Sequence, residues 1–332
     1  MSHIRIIIPF YQSEATLERA LLSIQKQTER NFECFLVNNH STDGFQRVIT
    51  PFLKDSRFSL VHEKKQGVSY AFNRGLEGAT CPYIARMDAD DEVLPERLEK
   101  QKEYLEQHQD IDMVGSQARH VPGSFFSEGL KRFVEWNNQI LSPEDIQQHQ
   151  FIETPVINPT AMFRRNSLEK FGSYIHGDFP EDYELWLRWL SKGARLAKLD
   201  DVLLNWYDSP ARLTRKDERY RVEAFFNIKS YYLAMHLKKV NPYFLDVVVW
   251  GAGRKTRQRM KILTDKGLNI IYYVDIQADK TTAAPCYHYS SLPDPGRVFV
   301  LVAVTIPDAR SMIENYLNER GYRVNQDYLM IG

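Results

Sequence analysis

The chain has 332 residues, room for two domains. Its 43 Lys+Arg balance 43 Asp+Glu, so no overall charge favours nucleic acid. Cys34, Cys81 and Cys286 stand far apart and match no CxxC or zinc spacing, which fits reduced core thiols in a reducing compartment. A strand begins almost at the first residue, with no visible signal peptide, and no apolar run approaches the roughly 18 residues of a membrane span. A cytoplasmic protein is expected, soluble or peripheral at the inner face of the membrane.

Ile4 to Pro9 is a β-branched apolar run, as a buried parallel strand requires. Leu17, Leu21 and Ile24 recur at helical spacing behind Ser13, a candidate N-cap. Phe32 to Val37 reads as the next strand, followed by the polar turn Asn38-Asn39-His40-Ser41-Thr42-Asp43-Gly44. A third strand lies around Phe58 to Val61, a helix over Ala71 to Leu76, and a fourth strand over Tyr83 to Met87. This alternation predicts a doubly wound α/β sheet with ligands at the carboxyl ends of its strands. Both the polar turn and the acidic run Asp88-Ala89-Asp90-Asp91-Glu92 fall at such ends. Crowded acids there suit a divalent cation; the alternative is an acidic loop opening the next helix, near Pro95 to His108.

The pattern loosens over residues 121 to 160, where Phe125, Phe126, Phe133 and Trp136 mix with turn signals. A strand is expected at Ala161 to Phe163, and a helix opening at Glu181-Asp182 and stopped by Gly193. Residues 216–244 read as a helical connector. A second β-α-β array then starts at Val247 to Trp250, passes Gly251-Ala252-Gly253 and a helix from Arg254, and returns through Ile270 to Asp275 and Val298 to Val304. Thr256 stands where GxGxxG has its third glycine, and Asp275 lies where a ribose-binding acid would fall. Packing, dimerisation or a sugar-related ligand are the other readings of this unit.

In order and spacing, several motifs over roughly residues 3 to 215 resemble family 2 glycosyltransferases. They are Ile6-Ile7-Ile8-Pro9-Phe10-Tyr11, Val37 through Gly44, and Gly67 with Ala71-Asn73-Gly75. Met87 through Asp91, Asn158-Pro159-Thr160-Ala161 and Glu181 through Trp186 complete the set. The resemblance implies a GT-A doubly wound mixed sheet over residues 1–215, and a softer similarity to the first domain of bacterial sugar acyltransferases implies a smaller Rossmann-like α/β domain over 245–332. It further implies inverting transfer of a sugar from a nucleotide-sugar donor, a UDP-sugar first among them, to a glycan or lipid-linked acceptor in bacterial surface glycan synthesis. Mn²⁺ or Mg²⁺ would be the cofactor. A homodimer and peripheral membrane contact are compatible with this reading.

Carried over residue by residue, the resemblance makes Asp182 the base and Glu181 its orienting neighbour. Asp88 meets the ribose, Asp90 the metal, and Asp91 a metal-bound water, while Glu92 belongs to the following helix. Pro9, Tyr11, Glu14, Asn38, Asn39 and Asn73 form the nucleotide side, where Asn38 and Asn39 replace the family's usual aspartates. An amide still accepts from an imide N–H, but it also donates. Arg212 or Arg215 clamps the diphosphate, with a basic surface loop as the alternative, and Arg86 and Arg74 either balance the acids or lie in solvent. Two competing functions are kept: a non-catalytic nucleotide-sugar-binding or scaffolding protein, and a sugar nucleotidyltransferase, which would carry a Gly-rich loop where this chain has Phe10-Tyr11-Gln12-Ser13.

Overall fold

In the computed structural model, residues 3–123, 127–210, 212–278 and 280–332 are described. Phe125, Phe126 and Ala211 lie outside them. The chain divides into two units: residues 1–146 with 155–220, and residues 147–154 with 221–332.

The first unit opens with β1 (Ile4–Phe10), α1 (Glu14–Gln25), β2 (Phe32–Asn38), α2 (Phe45–Ile49), β3 (Phe58–His62) and α3 (Val68–Leu76). β4 (Tyr83–Arg86), β5 (Glu92–Val93), α4 (Arg97–Gln107), β6 (Met113–Val121), α5 (Glu128–Asn138) and α6 (Pro143–His149) follow. β7 (Met162–Arg164), α7 (Arg165–Phe171), α8 (Glu181–Ser191), β8 (Leu196–Tyr207) and α9 (Leu213–Lys216) complete it. The strands form one mixed sheet in the order β3-β2-β1-β4-β7-β6-β8-β5. β1, β2, β3 and β4 run parallel, whereas β7 is antiparallel to both β4 and β6. β1 is buried along its whole length, which is why it carries no polar alternation.

β6 and β8 pair in parallel from Met113–Leu196 to Val121–Tyr207, with register shifts around Gln117. Neither strand was expected from the sequence. β6 breaks its apolar run with Gly115, Ser116 and Gln117, and β8 carries Asp200 and Asp201 at its middle. The last residues of β8 reach the acidic turn, where the Tyr207 N–H donates to Asp91.

The second unit holds α10 (Val222–Val240), β9 (Asp246–Trp250), α11 (Arg254–Thr264), β10 (Asn269–Asp275), β11 (Cys286–His288), β12 (Val300–Val302), α12 (Pro307–Glu319) and β13 (Tyr328–Met330). Its five strands are all parallel, in the order β11-β10-β9-β12-β13. This is the smaller Rossmann-like sheet that the sequence led us to expect. α10, read from sequence as part of a connector, groups with this unit. Among the described residues, no helix is long and apolar enough to cross a membrane.

Candidate active site

The acidic run leaves the sheet where β4 ends. Met87 N–H still donates to the Ile7 carbonyl at 3.1 Å, and the chain then turns. Asp88, Asp90 and Asp91 each present an oxygen, and these oxygens all lie within 4.8 Å of one another. Each acid is held by a different element. Asp88 Oδ1 accepts from Nε and Nη2 of Arg86, at 3.1 and 2.9 Å. Asp91 is buried, and its Oδ1 accepts from the Tyr207 N–H at the end of β8, at 3.0 Å. The Asp90 carbonyl accepts from Arg19 of α1, whose guanidinium lies 3.5 Å from the centre of the Tyr207 ring.

The electrostatics of this turn are unsatisfied. Burial, then the neighbouring carboxylates, raise the Asp90 carboxyl above its ordinary range and Asp91 well above it; Arg212 pulls both the other way. Asp91 Oδ2 is buried and has no hydrogen-bond partner. Three clustered carboxylates, one with an orphaned buried oxygen, form a hard-oxygen donor set that fits a divalent cation.

Arg97 lies behind the turn, 1 % exposed. Its Nη2 donates to the carbonyls of Arg86 (2.8 Å) and Ala161 (3.2 Å), and its Nε to Gln101 Oε1 (3.0 Å). Burial pulls this guanidinium down to about 9, against the pull of Asp88 and Asp91. Sequence reasoning missed Arg97. The available signal was a polar pair, Arg97 and Gln101, on the same helix face as the buried Leu98 and Leu105.

One assignment near the turn is corrected, and the two readings kept for Arg86 and Arg74 separate. Glu92 does not open a helix: it sits in β5, where its Oε2 accepts from Asn205 Nδ2 (2.9 Å) and the Tyr207 hydroxyl (3.2 Å). Arg86 is no surface arginine but a buried ion-pair partner of Asp88, whereas Arg74 is exposed and pairs with Glu77.

The base candidates lie at the start of α8. This helix packs Leu185, Trp186 and Trp189 into the core, with Phe163 stacked on Trp186 at 5.8 Å. Arg188 fastens it further, bonding Glu184 and the carbonyls of Phe171, Gly172 and Ser173. Burying one such side chain contributes about 1.5–3 kcal/mol or more, against about 0.3–1 kcal/mol for an acid at a helix N-terminus. The acids of the first turn are therefore not what holds this helix in place.

Glu181 is buried, and its Oε2 accepts from the Tyr220 hydroxyl at 2.5 Å. Asp182 Oδ1 accepts from the Tyr183 N–H at 2.7 Å. Burial first, then Glu181, push the Asp182 carboxyl up to about 7. A helix N-terminus by itself favours the ionised form; here desolvation and a like-charged neighbour outweigh it. Both Arg86 and Asp88 act electrostatically on Asp182, so the two halves of the site sense each other.

The nucleotide-side candidates gather at the ends of β1 and β2. Pro9 is buried inside β1, and Tyr11 just beyond it is 48 % exposed. Asn38 Oδ1 accepts from the Ser41 N–H (2.8 Å), and its Nδ2 meets His62 Nδ1 (3.2 Å). Asn39 donates to the Lys65 carbonyl (2.7 Å) and accepts from the Gly67 N–H (2.7 Å). Beyond these bonds Asn38 keeps one N–H and one lone pair, whereas Asn39 Nδ2 also meets the Glu63 carbonyl at 3.5 Å and keeps a lone pair.

Glu14 and Asn73 are bound inward. Glu14 accepts from the Gly44 N–H and from Arg47, and Asn73 joins the Tyr174 carbonyl and the Ser173 hydroxyl. Gln12, which the sequence did not single out, ties the two loops together through Ser41, Thr42 and Asp43. Ser13 occupies the N-cap position, but the Glu14 N–H is capped by Asp43 Oδ2 at 2.7 Å.

The two clamp candidates also separate. Arg215 pairs with the buried Asp208 at 2.7 Å, a structural tie. Arg212 donates to the Tyr207 carbonyl (3.1 Å), lies 4.0 Å from the centre of the Trp206 ring, and acts on Asp90 and Asp91. In the second unit, Asp275 is engaged by the Ala252 and Gln277 N–H groups and by Lys280, so its carboxylate is already bound.

The mixed sheet, with the acidic turn at the end of its fourth strand, has the architecture of GT-A-like glycosyltransferases. Solved structures agree on the fold. The chain matches S. aureus TarS residues 1–349 in complex with UDP-GlcNAc at TM-score 0.56 and 17 % identity, covering 80 % of this chain and 71 % of that one. It matches the mannosyltransferase PcManGT from Pyrobaculum calidifontis, in complex with GDP-Man and Mn²⁺, at TM-score 0.50 and 19 % identity over 71 % and 63 %. The model of glycosyl transferase family 2 matches residues 5–172, and the chain belongs to that family. Among its relatives are the amylovoran biosynthesis glycosyltransferase AmsE of Erwinia amylovora (35 % identical over 60 % of this chain and 74 % of the relative) and the O-antigen biosynthesis glycosyltransferase WbnJ of Escherichia coli (31 % over 71 % and 89 %).

Proposed function

We propose that this glycosyltransferase inverts: it moves a sugar from a nucleoside-diphosphate sugar to a hydroxyl of a surface glycan or its lipid-linked precursor, with Asp182 as base and a divalent cation at Asp90 and Asp91. The observation that carries this reading is the orphaned, buried Asp91 Oδ2 inside the three-carboxylate turn, on the same chain as a carboxyl raised to about 7. Bound Mn²⁺ or Mg²⁺ supplies Lewis-acid offset of the charge on the departing diphosphate.

The chain's own residues do the rest. Ionised Asp182 accepts the acceptor hydroxyl proton as that oxygen bonds to the anomeric carbon; the bond to the diphosphate breaks, and its electron pair leaves with the diphosphate. A base near 7 suits this task, being substantially ionised at neutral pH yet a better proton acceptor than an ordinary aspartate. Glu181, fixed by Tyr220, orients Asp182 and the acceptor. Arg212 adds positive charge on the diphosphate side.

Asp88 meets the ribose. Tyr11 and Pro9 shape the base pocket with Asn38 and Asn39, while Glu14 and Asn73 hold the loops that frame it. TarS was solved with UDP-GlcNAc and PcManGT with GDP-Man, which supports a nucleotide-sugar donor. A UDP-sugar is the first candidate, because an amide at Asn38 can still accept from the uracil imide. The names of AmsE and WbnJ support a role in surface polysaccharide synthesis; our reading puts that role at the cytoplasmic face of the membrane. The test is nucleotide release from a panel of UDP- and GDP-sugars in Mn²⁺ and in EDTA. Release with one donor, lost in EDTA and in Asp182→Asn, is expected; tight donor binding with no release from any donor would point instead to a non-catalytic binding protein.

A further inference from the structure

Arg86 uses only part of its guanidinium. Nε and Nη2 hold Asp88, but Nη1 is buried without a partner, in a residue 2 % exposed. An unpaired polar group in a protein interior costs about 1–3 kcal/mol, and more when it is charged, so Nη1 has a donor to offer an incoming oxygen. The rings of Tyr174 and Phe72 lie 5.2 and 5.7 Å from Arg86 Cζ. Arg86 touches Asp88 and is within electrostatic reach of Glu181 and Asp182. In a single displacement the diphosphate and the base flank the anomeric carbon. A side chain that spans from the diphosphate acids to the base therefore runs alongside the sugar in transit.

We infer that Arg86 reads the donor sugar, its free Nη1–H donating to one sugar hydroxyl oxygen. The inference rests on the functional reading above. It also selects a class of sugar. The charge of Arg86 already faces Asp88, Glu181 and Asp182, so no net positive charge remains for a carboxylated sugar. A neutral hexose or N-acetylhexosamine fits.

The test uses the full chain with Mn²⁺ in titration calorimetry. UDP-glucose, UDP-galactose, UDP-GlcNAc and GDP-mannose are compared with UDP and GDP, and the tightest donor is followed by its monodeoxy analogues. In wild type, one deoxy position should weaken binding about tenfold. In Arg86→Lys, which keeps a cation for Asp88, the intact donor should lose about tenfold while its nucleotide diphosphate changes less than threefold. Removing the same hydroxyl should then cost the variant nothing further. Equal loss for donor and nucleotide, or undiminished sensitivity to that hydroxyl in the variant, overturns the inference while leaving the enzyme reading intact. If Arg86→Lys does not fold, the wild-type series still decides: no deoxy position costing more than twofold overturns it. Binding of none of the donors by wild type defeats the functional reading itself.

Discussion

Glu181→Gln removes the charge beside Asp182 while its amide oxygen can still accept from Tyr220. Burial and then Glu181 hold the Asp182 carboxyl at about 7. With that value, roughly a tenth of the enzyme carries an ionised base at pH 6 and roughly nine-tenths at pH 8. Only the ionised form accepts a proton, so the wild-type rate should fall about tenfold per unit below pH 7 and level off above it. A neighbouring unit charge in a half-buried site is worth about 1–2 kcal/mol, or about one pH unit. The midpoint for Glu181→Gln should therefore lie near pH 6, and the variant should outpace wild type in relative rate there.

Stability should move consistently. The folded carboxyl keeps its proton up to about 7, whereas the unfolded one loses it near pH 4. Asp182 thus destabilises the fold progressively as pH rises through that window, and Glu181→Gln should relieve part of the loss. The assay is the initial rate of nucleotide diphosphate release from pH 5.5 to 9 at saturating donor and Mn²⁺, with melting curves beside it. Asp182→Asn should be at least about 10²-fold slower and lack this pH limb. Identical midpoints for wild type and Glu181→Gln would show that Asp182 is not the titrating base.

Further outcomes separate structural from functional arginines. Arg212→Gln should weaken nucleotide diphosphate binding about tenfold with little change in melting temperature, while Arg215→Gln, which strands the buried Asp208, should lower the melting temperature by several degrees; a swapped pattern in calorimetry and thermal melts would reverse the two roles. Arg97→Met removes a donor from the Arg86 and Ala161 carbonyls; the Ala161 carbonyl keeps the Arg86 N–H, so the loss of about 1–3 kcal/mol falls mainly on the Arg86 carbonyl. It should melt several degrees lower, and an unchanged melting point would mean that the Arg86 carbonyl finds another partner.

The sequence made β1, β2 and β4 legible because each is a short, nearly uninterrupted apolar run ending in a polar turn. The acidic turn and the Glu181-Asp182 pair were legible for the same reason: each sits at an element boundary that local pattern marks. β6 and β8 were not, because Ser116, Gln117, Asp200 and Asp201 interrupt their pattern where the pairing register shifts. Without β8 the partner of Asp91 could not be named, nor could Glu92 be seen as a strand residue. The bonds of Glu14, Asn39 and Asn73 were hidden for another reason. They join residues 24 to 101 positions apart, and the side-chain type does not reveal which way an amide or carboxylate turns. Arg97 lay inside an ordinary charged helix, where only its place on a buried face distinguishes it.

The central claim is that the turn Asp88 to Asp91 binds a diphosphate through a divalent cation. Calorimetric titration of UDP and GDP with and without Mn²⁺, in wild type and Asp90→Ala, tests it most directly. Wild type should bind one nucleotide at least about tenfold more tightly with Mn²⁺, and Asp90→Ala should lose that gain while melting as wild type does. Equal affinity with and without Mn²⁺ in wild type, or an undiminished gain in Asp90→Ala, would contradict the claim.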